Sequence, residues 1–382
     1  MTTPPETPRL IGVSIPDVSD REQALPTGQW SRFFRALGQR VTVVDVIQPK
    51  LTQAQELLNR AINFHPDLVR WKAQAGFNLK RVQVLTRMVE RELVRAAGSY
   101  DLVIQLQTVC RPGLPSAGRP YVIYTDNTFA LTQRFYAQWA PVSHSRVRRW
   151  TAFEADVCRS AEHVFTFSEF ARRSVIDDYR CEPSQVTAIG AGANQLREAI
   201  PVRQPGDPTA LFVGRRFELK GGLTLLRAWS RVREQIPTAQ LVIAGPDHGP
   251  PNGLGPGVRW LGRVDRAQLD KLYADASVFV LPSMFEAWGH VFVEAMGYGL
   301  PCIGTTRCAM PEIIEGGTTG LLVSPAEDES LAQALIDLLG DPQKAQEMGR
   351  RGHARVLERF TWEHVAARLV AALVGVETGQ RR

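Results

Sequence analysis

Short apolar runs alternate with helically spaced segments along the whole chain. In the first half the runs are Leu10 to Ile15, Val41 to Ile47, Leu102 to Leu106, Tyr121 to Tyr124, Val164 to Phe167 and Val186 to Ile189. In the second half they are Ala210 to Val213, Gln240 to Ala244, Val258 to Leu261, Ser277 to Leu281, Pro301 to Ile303 and Gly320 to Val323. Runs of this length separated by helical segments predict parallel strands in β-α-β units. The predicted fold class is therefore α/β, with doubly wound parallel sheets. Between the two groups, the stretch from Ile200 to Pro208 carries Pro201, Pro205 and Pro208, which can continue neither helix nor sheet. It sets the expected organisation: a first domain over 1–200, a second over 201–360, and a final segment over 361–382. In that last segment Val365, Leu369, Val370 and Leu373 recur at helical spacing, which predicts an amphipathic helix packed on another element, and the expected partner is the first domain. Two doubly wound domains joined in this way would place the carboxyl ends of their strands on either side of a central cleft.

Composition narrows the class. With 382 residues, 44% hydrophobic and 22% charged, the chain is an ordinary globular protein large enough to bury a core without disulfides or metal staples. No apolar run approaches the roughly 20 residues that span a bilayer. The start, Met1-Thr2-Thr3-Pro4-Pro5, lacks the basic region and apolar core of a secretion signal, so a cytoplasmic protein is expected. Cys110, Cys158, Cys181, Cys302 and Cys308 are scattered and include no C-x-x-C pair, and reduced core thiols are the expectation. His65, His144, His163, His248, His353 and His364 fall in unrelated segments without ligand spacing.

The net charge of +6, from 45 basic and 39 acidic residues, is too mild an excess to predict a nucleic-acid partner. Much of it sits between Arg60 and Arg95, where eight cations face Asp67, Glu90 and Glu92 and alternate with Phe77, Leu79, Val82, Leu85, Met88, Val89 and Leu93. That stretch reads either as a solvated helix with one core face or as a basic amphipathic helix in peripheral contact with an anionic membrane.

Several familiar chemistries are excluded by what is missing. There is no G-x-x-x-x-G-K-[ST], no G-x-G-x-x-G after the first strand, no H-E-x-x-H and no G-x-S-x-G. Two other constellations stand out. At Val213-Gly214-Arg215-Arg216-Phe217-Glu218-Leu219-Lys220-Gly221-Gly222 a strand ends in a glycine, followed by cations and a glycine pair. Arg215 and Lys220 leave the strand at its carboxyl end, where both side chains can fold over a diphosphate, or remain surface charges. In the stretch from Phe285 to Gly297, Glu286 and Glu294 stand eight residues apart. On one continuous helix they would lie about 12 Å apart along the axis. If Glu286 lies instead in a loop and the helix begins near Gly289, the first N–H groups around His290 and Val291 form an anion site between two carboxylates. Carboxylates there suit hydroxyl donors on a ribose or a sugar. Trp288 either stacks on a sugar or packs in the core.

Taken in order, the Gly-Arg-x4-Lys-Gly segment, Val242-Ile243-Ala244-Gly245, the glutamates, Glu294-Ala295-Met296-Gly297-Tyr298-Gly299-Leu300-Pro301, Pro311-Glu312-Ile313-Ile314 and Thr319-Gly320-Leu321-Leu322-Val323 resemble the retaining family-four glycosyltransferases of the GT-B fold. The resemblance runs from 210 through Phe360-Thr361-Trp362-Glu363, with weaker matches at Ser168-Glu169-Phe170-Ala171-Arg172-Arg173 and from Val186 to Asn194. It implies two Rossmann-like domains, the first for the acceptor and the second for the donor. It further implies that Arg215 and Lys220 hold the donor diphosphate, that Glu294 binds the ribose, and that Glu286 contacts the sugar. The backbone over Gly289, His290, Val291 and Phe292 would face sugar and phosphate. No metal or other cofactor is implied, since cations and a helix N-terminus supply the positive field. The acceptor, whether carbohydrate, lipid-linked or small molecule, is left open, as are the donor base and sugar.

The resemblance departs in three places. Asp126, after the run Tyr121 to Thr125, stands where many members carry a histidine; it either serves the acceptor hydroxyl or the donor sugar, or is a turn residue. In Leu25-Pro26-Thr27-Gly28-Gln29 only Gly28 matches the usual glycine pair, and Arg307-Cys308-Ala309 replaces another. The expected activity is metal-independent transfer of a sugar, with retention, from a nucleoside diphosphate to a hydroxyl. A nucleotide-sugar epimerase or sugar phosphorylase on the same architecture, or a binding protein without catalysis, would use the same donor site.

Overall fold

The structure, a computed structural model, describes residues 8–14, 28–112, 120–202, 206–251 and 253–380, the last six as backbone only. The chain divides into two compact units, one of residues 1–192 and 362–382 and the other of residues 193–361.

Unit 1 runs β1 (Leu10–Val13), α1 (Gln29–Gly38), β2 (Val43–Ile47), α2 (Gln53–Ile62), α3 (Leu68–Gly76), α4 (Leu79–Arg95), β3 (Leu102–Leu106), β4 (Tyr121–Thr125), α5 (Phe129–Tyr136), α6 (His144–Arg159), β5 (His163–Thr166), α7 (Glu169–Asp177) and β6 (Val186–Ala188). The sheet order is β2-β1-β3-β4-β5-β6, with every pairing parallel. β3 and β4 are buried along their whole length, as strands covered by helices on both faces must be.

Unit 2 runs β7 (Thr209–Val213), α8 (Gly222–Gln235), β8 (Gln240–Ala244), β9 (Val258–Gly262), α9 (Arg266–Asp275), β10 (Val278–Val280), α10 (His290–Gly297), β11 (Cys302–Thr305), α11 (Met310–Ile313), β12 (Gly320–Val323), α12 (Asp328–Leu339) and α13 (Pro342–Arg359). Its order, β12-β11-β10-β7-β8-β9, is again parallel throughout. α8 shows how the sequence seats these helices: Leu225, Ala228, Trp229 and Val232 recur on one face and are buried. A last helix, α14 (Trp362–Gln380), belongs to unit 1 and packs on α1, where Trp362 meets Phe33 edge-on at 5.9 Å.

All twelve apolar runs contain a strand, with ends shifted by one or two residues. The division of the chain differs from the proline-based one. Unit 2 begins ahead of Ile200, because 193–200 is already packed into it. The Arg197 guanidinium lies over the Tyr298 ring at 4.4 Å, the Arg197 carbonyl bonds His353, and Ile200 fills the space beside Gly299. Residues 203–205 of the proline-rich stretch lie outside the described residues. The basic stretch from Arg60 to Arg95 is likewise not one helix. Asn63 and Phe77 end α2 and α3, and Asp67 and Asn78 cap the helices that follow.

Candidate active site

In each unit the strand order reverses beside the first strand, and in open α/β sheets such a switch point, at the carboxyl ends of the strands, is where ligands bind. In unit 2 that point lies between β7 and β10. The loop after β7 carries Gly214 to Gly221, and the loop after β10 carries Leu281 to Gly289. The Met284 N–H donates to the Leu219 carbonyl at 3.1 Å and ties the two loops together. Their approach requires glycine. Gly221 has φ +76°, and a Cβ there would sit 2.0 Å from the Pro282 carbonyl oxygen. A third loop, after β11, joins through the Ala309 N–H, which donates to the Glu286 carbonyl at 3.2 Å.

Glu286 lies in the loop, and the helix begins at His290 with Gly289 as its N-cap at φ 109°. Of the two readings open for Glu286 and Glu294, the structure takes the one with separate elements. Lys220 and Glu286 are brought together, Nζ to Oε1 at 2.5 Å, with side chains 22% and 10% exposed. Between them and Glu294 runs the first turn of α10. The Phe292 N–H donates back to the Gly289 carbonyl at 3.0 Å, and the dipole at this helix start favours an anion. Phe292 is itself fully buried. Burial pushes the His290 imidazole down to about 4, so the ring is neutral at pH 7. Trp288 is buried and edge-on to Phe360 at 5.6 Å, a core position.

Glu294 is also buried, and burial pushes its carboxyl above the usual range. Arg266, with Nη1 3.4 Å from Oε2, and a hydrogen bond from Asn194 oppose that rise. Arg215 does not join Lys220. Its guanidinium is turned to Asp247, 3.3 Å away, which also takes Arg263 at 2.8 Å, and the two arginines hold the Asp247 carboxyl below its ordinary value. The two cations therefore face different carboxylates, Lys220 pairing with Glu286 and Arg215 sharing Asp247 with Arg263. Cys308 departs from the core-thiol expectation, being partly exposed at φ 54° in the loop beside Glu286, whereas the other four cysteines are buried. Among the described residues no group of three or more His, Cys, Asp and Glu side chains is placed to hold a metal ion.

Residues 195–355 match the family model of glycosyl transferases group 1. A glycogen synthase of Mycobacterium tuberculosis is 27% identical over 251 residues, which cover 63% of this chain and 61% of that protein. The chain thus spans about three fifths of that relative's length. Among solved structures, sucrose-phosphate synthase from Thermosynechococcus elongatus superposes with a TM-score of 0.70 at 20% identity, covering 97% of this chain and 100% of its own. The Anabaena protein HepE, solved in complex with UDP-glucose, gives a TM-score of 0.62 at 16% identity over 96% of this chain and 99% of its own. The fold is GT-B, with two Rossmann-like units.

The group 1 segment contains the loop after β7, Glu286, α10 and Arg266. Asp126 and Gly28 lie outside it, in unit 1. Asp126 follows β4 and accepts from Gln107 Nε2 at 3.3 Å, and burial raises its pKa. It does not cap α5; Thr128 does, accepting from the Leu131 N–H. Gln107, at the end of β3, has φ 60°, so the side chain that meets Asp126 is held on strained backbone. Gly28 is the N-cap of α1 at φ −68°, a conformation open to any residue, and among the described residues nothing lies within 4 Å of a Cβ there. Leu25 to Thr27 lie outside the described residues.

Sequence reasoning missed Asp247, Arg263, Arg266 and Asn194. The first two follow the ends of β8 and β9. Charged residues directly after neighbouring strands were the available signal, since adjacent parallel strands bring their carboxyl ends together.

Proposed function

We propose that the protein is a glycosyltransferase that moves a sugar, with retention and without a metal ion, from a nucleoside-diphosphate sugar to an acceptor hydroxyl. The observation that carries this reading is the Lys220–Glu286 pair at the start of α10, a cation and a carboxylate beside a helix N-terminus at the sheet's switch point. The family match of 195–355 and the UDP-glucose complex of HepE support a nucleotide-sugar donor.

In this reading Lys220, Arg215 and the first turn of α10 receive the departing diphosphate. Glu294 accepts from the ribose hydroxyls, and Glu286 accepts from a hydroxyl of the donor sugar. The bond from the anomeric carbon to the β-phosphate oxygen breaks as the acceptor oxygen attacks from the same face, and the acceptor proton passes to the departing phosphate. No enzymic nucleophile is required. The rate comes from positioning and from positive charge already placed where the leaving group develops negative charge. Asp126 belongs to the acceptor side, where its raised pKa suits it to hold or exchange a proton.

The test is thermal stability with EDTA present against UDP, GDP, ADP and their sugar conjugates, for wild type and Glu294→Ala. A ligand at about 100 times its Kd adds about 2.7 kcal/mol. Stabilisation by one nucleotide family, lost in the variant, identifies the base; no shift with any nucleotide refutes the donor site. Incubation with the stabilising sugar nucleotide alone then separates the alternatives, since an epimerase converts it without an acceptor.

A further inference from the structure

The hairpin of α2 and α3 is built inside out. On α2, Ala54, Leu57, Leu58, Ala61 and Ile62 recur at the spacing of an apolar face, yet all five are exposed. The stripe continues through Phe64 into Leu68 and Val69 at the start of α3. Leu57, Leu58, Ile62, Phe64, Leu68 and Val69 are 67, 62, 57, 68, 54 and 54% exposed. What α2 turns inward instead is polar. Asn59 is buried and donates to the Ala75 carbonyl at 3.0 Å, while its Oδ1 accepts from Asn78 at 2.8 Å. Asn63 is buried and donates to the Asn59 carbonyl at 2.8 Å. Arg146 reaches in from α6 to Asn63 Oδ1 at 3.1 Å and to the Gln74 carbonyl at 2.6 Å. This connected inner seam fixes the outward direction of the apolar stripe; a rotation of α2 that buried the leucines would break it. Single exposed apolar residues are ordinary, but six large ones in thirteen consecutive positions form an interaction surface.

The surrounding charge selects the occupant. Arg70 and Lys72 are exposed on α3, and Lys80 is exposed in the first turn of α4, two residues after the Asn78 that bonds the seam. From 56 to 80 there are four cations and two carboxylates: Glu56 pairs with Arg60 at 3.1 Å and Asp67 caps α3 through the Val69 and Arg70 N–H groups, which leaves Arg70, Lys72 and Lys80 as the cations around the stripe. Trp71 sits edge-on to Phe64 at 5.7 Å and donates its Nε1 to the Arg60 carbonyl, an amphipathic ring beside the apolar stripe. A second copy in two-fold pairing would bring two copies of this cationic patch into one interface, with both carboxylates of the stretch, Glu56 and Asp67, already engaged. An apolar stripe flanked by positive charge is complementary to a bilayer surface with anionic headgroups. Contact lies in the membrane plane, since no helix among the described residues is long and apolar enough to cross a membrane.

We infer that the α2–α3 hairpin docks unit 1 on an anionic lipid surface, its apolar stripe entering the headgroup–acyl boundary and Arg70, Lys72 and Lys80 meeting lipid phosphates. This relocates the contact read from the Arg60–Arg95 stretch. The apolar face of α4, Val82, Leu85, Val89 and Leu93, is buried in unit 1, so the lipid-facing residues are those of 57–80. The inference is independent of the transfer reading.

The test is co-sedimentation of the full chain with phosphatidylcholine vesicles with and without phosphatidylglycerol, together with the solution mass from light scattering. Wild type is expected to be monomeric and to pellet with the anionic vesicles in preference to neutral ones. Leu58→Glu/Phe64→Glu and Arg70→Glu/Lys72→Glu should each lower partitioning at least ~10-fold. Both should keep the wild-type melting temperature and nucleotide response, because the altered side chains are exposed. Failure of wild type to bind, equal binding to neutral vesicles, or undiminished binding by both variants overturns the proposal. A dimer abolished by Leu58→Glu/Phe64→Glu also overturns it and assigns the stripe to a second copy.

Discussion

Removal of the Lys220 ammonium tests the donor site through two separable quantities. In Lys220→Met the Glu286 carboxylate, 10% exposed, loses its cation. Stripping one partner from a buried pair costs about 3–5 kcal/mol, because the remaining charge is left uncompensated. Here Lys220 keeps 22% exposure and water reaches the pair, so about 2 kcal/mol is the reasoned figure. For a unit of this size that lowers Tm by about 4–8 °C. The double variant Lys220→Met/Glu286→Gln removes the stranded charge and should regain at least ~1 kcal/mol. Turnover should behave differently. Loss of one cation aimed at the departing diphosphate costs about 10² to 10³ in kcat, and the double variant should recover none of it. The assays are urea denaturation and nucleotide release with the donor identified by thermal shift. Equal stability of single and double variants would refute the electrostatic account of the pair. Turnover within about threefold of wild type in both would refute the role of Lys220.

Three further predictions concern the backbone and the pH response. Gly221→Ala, at φ +76° with its Cβ 2.0 Å from the Pro282 oxygen, should cost about 3 kcal/mol or more, read as a fall in the melting temperature of unit 2. Gly28→Ala, at φ −68° with no described residue within 4 Å of the new Cβ, should cost less than about 1 kcal/mol, so any loss of activity there reports contact with substrate. His290, depressed to about 4 by burial, adds stability above its unfolded value of 6.5 and loses it as pH falls from there through 4. Wild type should therefore lose roughly 2 kcal/mol relative to His290→Gln over that interval, and parallel stability–pH curves would refute the assignment.

The strands were legible because a parallel strand covered on both faces is an apolar run whatever the rest of the chain does. The helix start at Gly289 was legible only as one of two readings, since a single helix through Glu286 and Glu294 fitted the same residues until the structure placed Glu286 in the loop. Side-chain partnerships were not. Arg215 finds Asp247 32 residues on, and Arg266 finds Glu294 28 residues on; both pairings depend on which strands lie side by side. Lys220 was read correctly as leaving β7 at its carboxyl end, but its contact with Glu286 depends on the switch point that places β10 beside β7. The α2 stripe shows a deeper limit. Periodicity reveals that a helix has an apolar face, and the pattern is identical whether that face meets a core or a solvent boundary. Asn59 and Asn63 gave no hint, because polar residues opposite an apolar stripe are ordinary on an exposed face, and only the structure shows that here they form the buried one.

The charged groups named at the candidate site are paired with one another. Lys220 is matched by Glu286, Arg215 and Arg263 share Asp247, and Glu294 is matched by Arg266. Cations and carboxylates close together would otherwise carry unpaired desolvation, which is most costly for Glu286 and Glu294, both buried. On the transfer reading, donor binding is then an exchange of partners. The diphosphate takes Lys220 from Glu286 and Arg215 from Asp247, and Glu286 is freed to accept a sugar hydroxyl at the moment the leaving group gains its cation. Ground-state binding is correspondingly weaker than two new cation–phosphate contacts would give, because two existing pairs are broken. That loss falls on the bound substrate and the transition state alike, whereas the negative charge that grows on the departing diphosphate strengthens only the new contacts. Interactions that strengthen in this way accelerate the chemical step, so on the transfer reading the pairing lowers affinity without lowering the rate contribution of the cations.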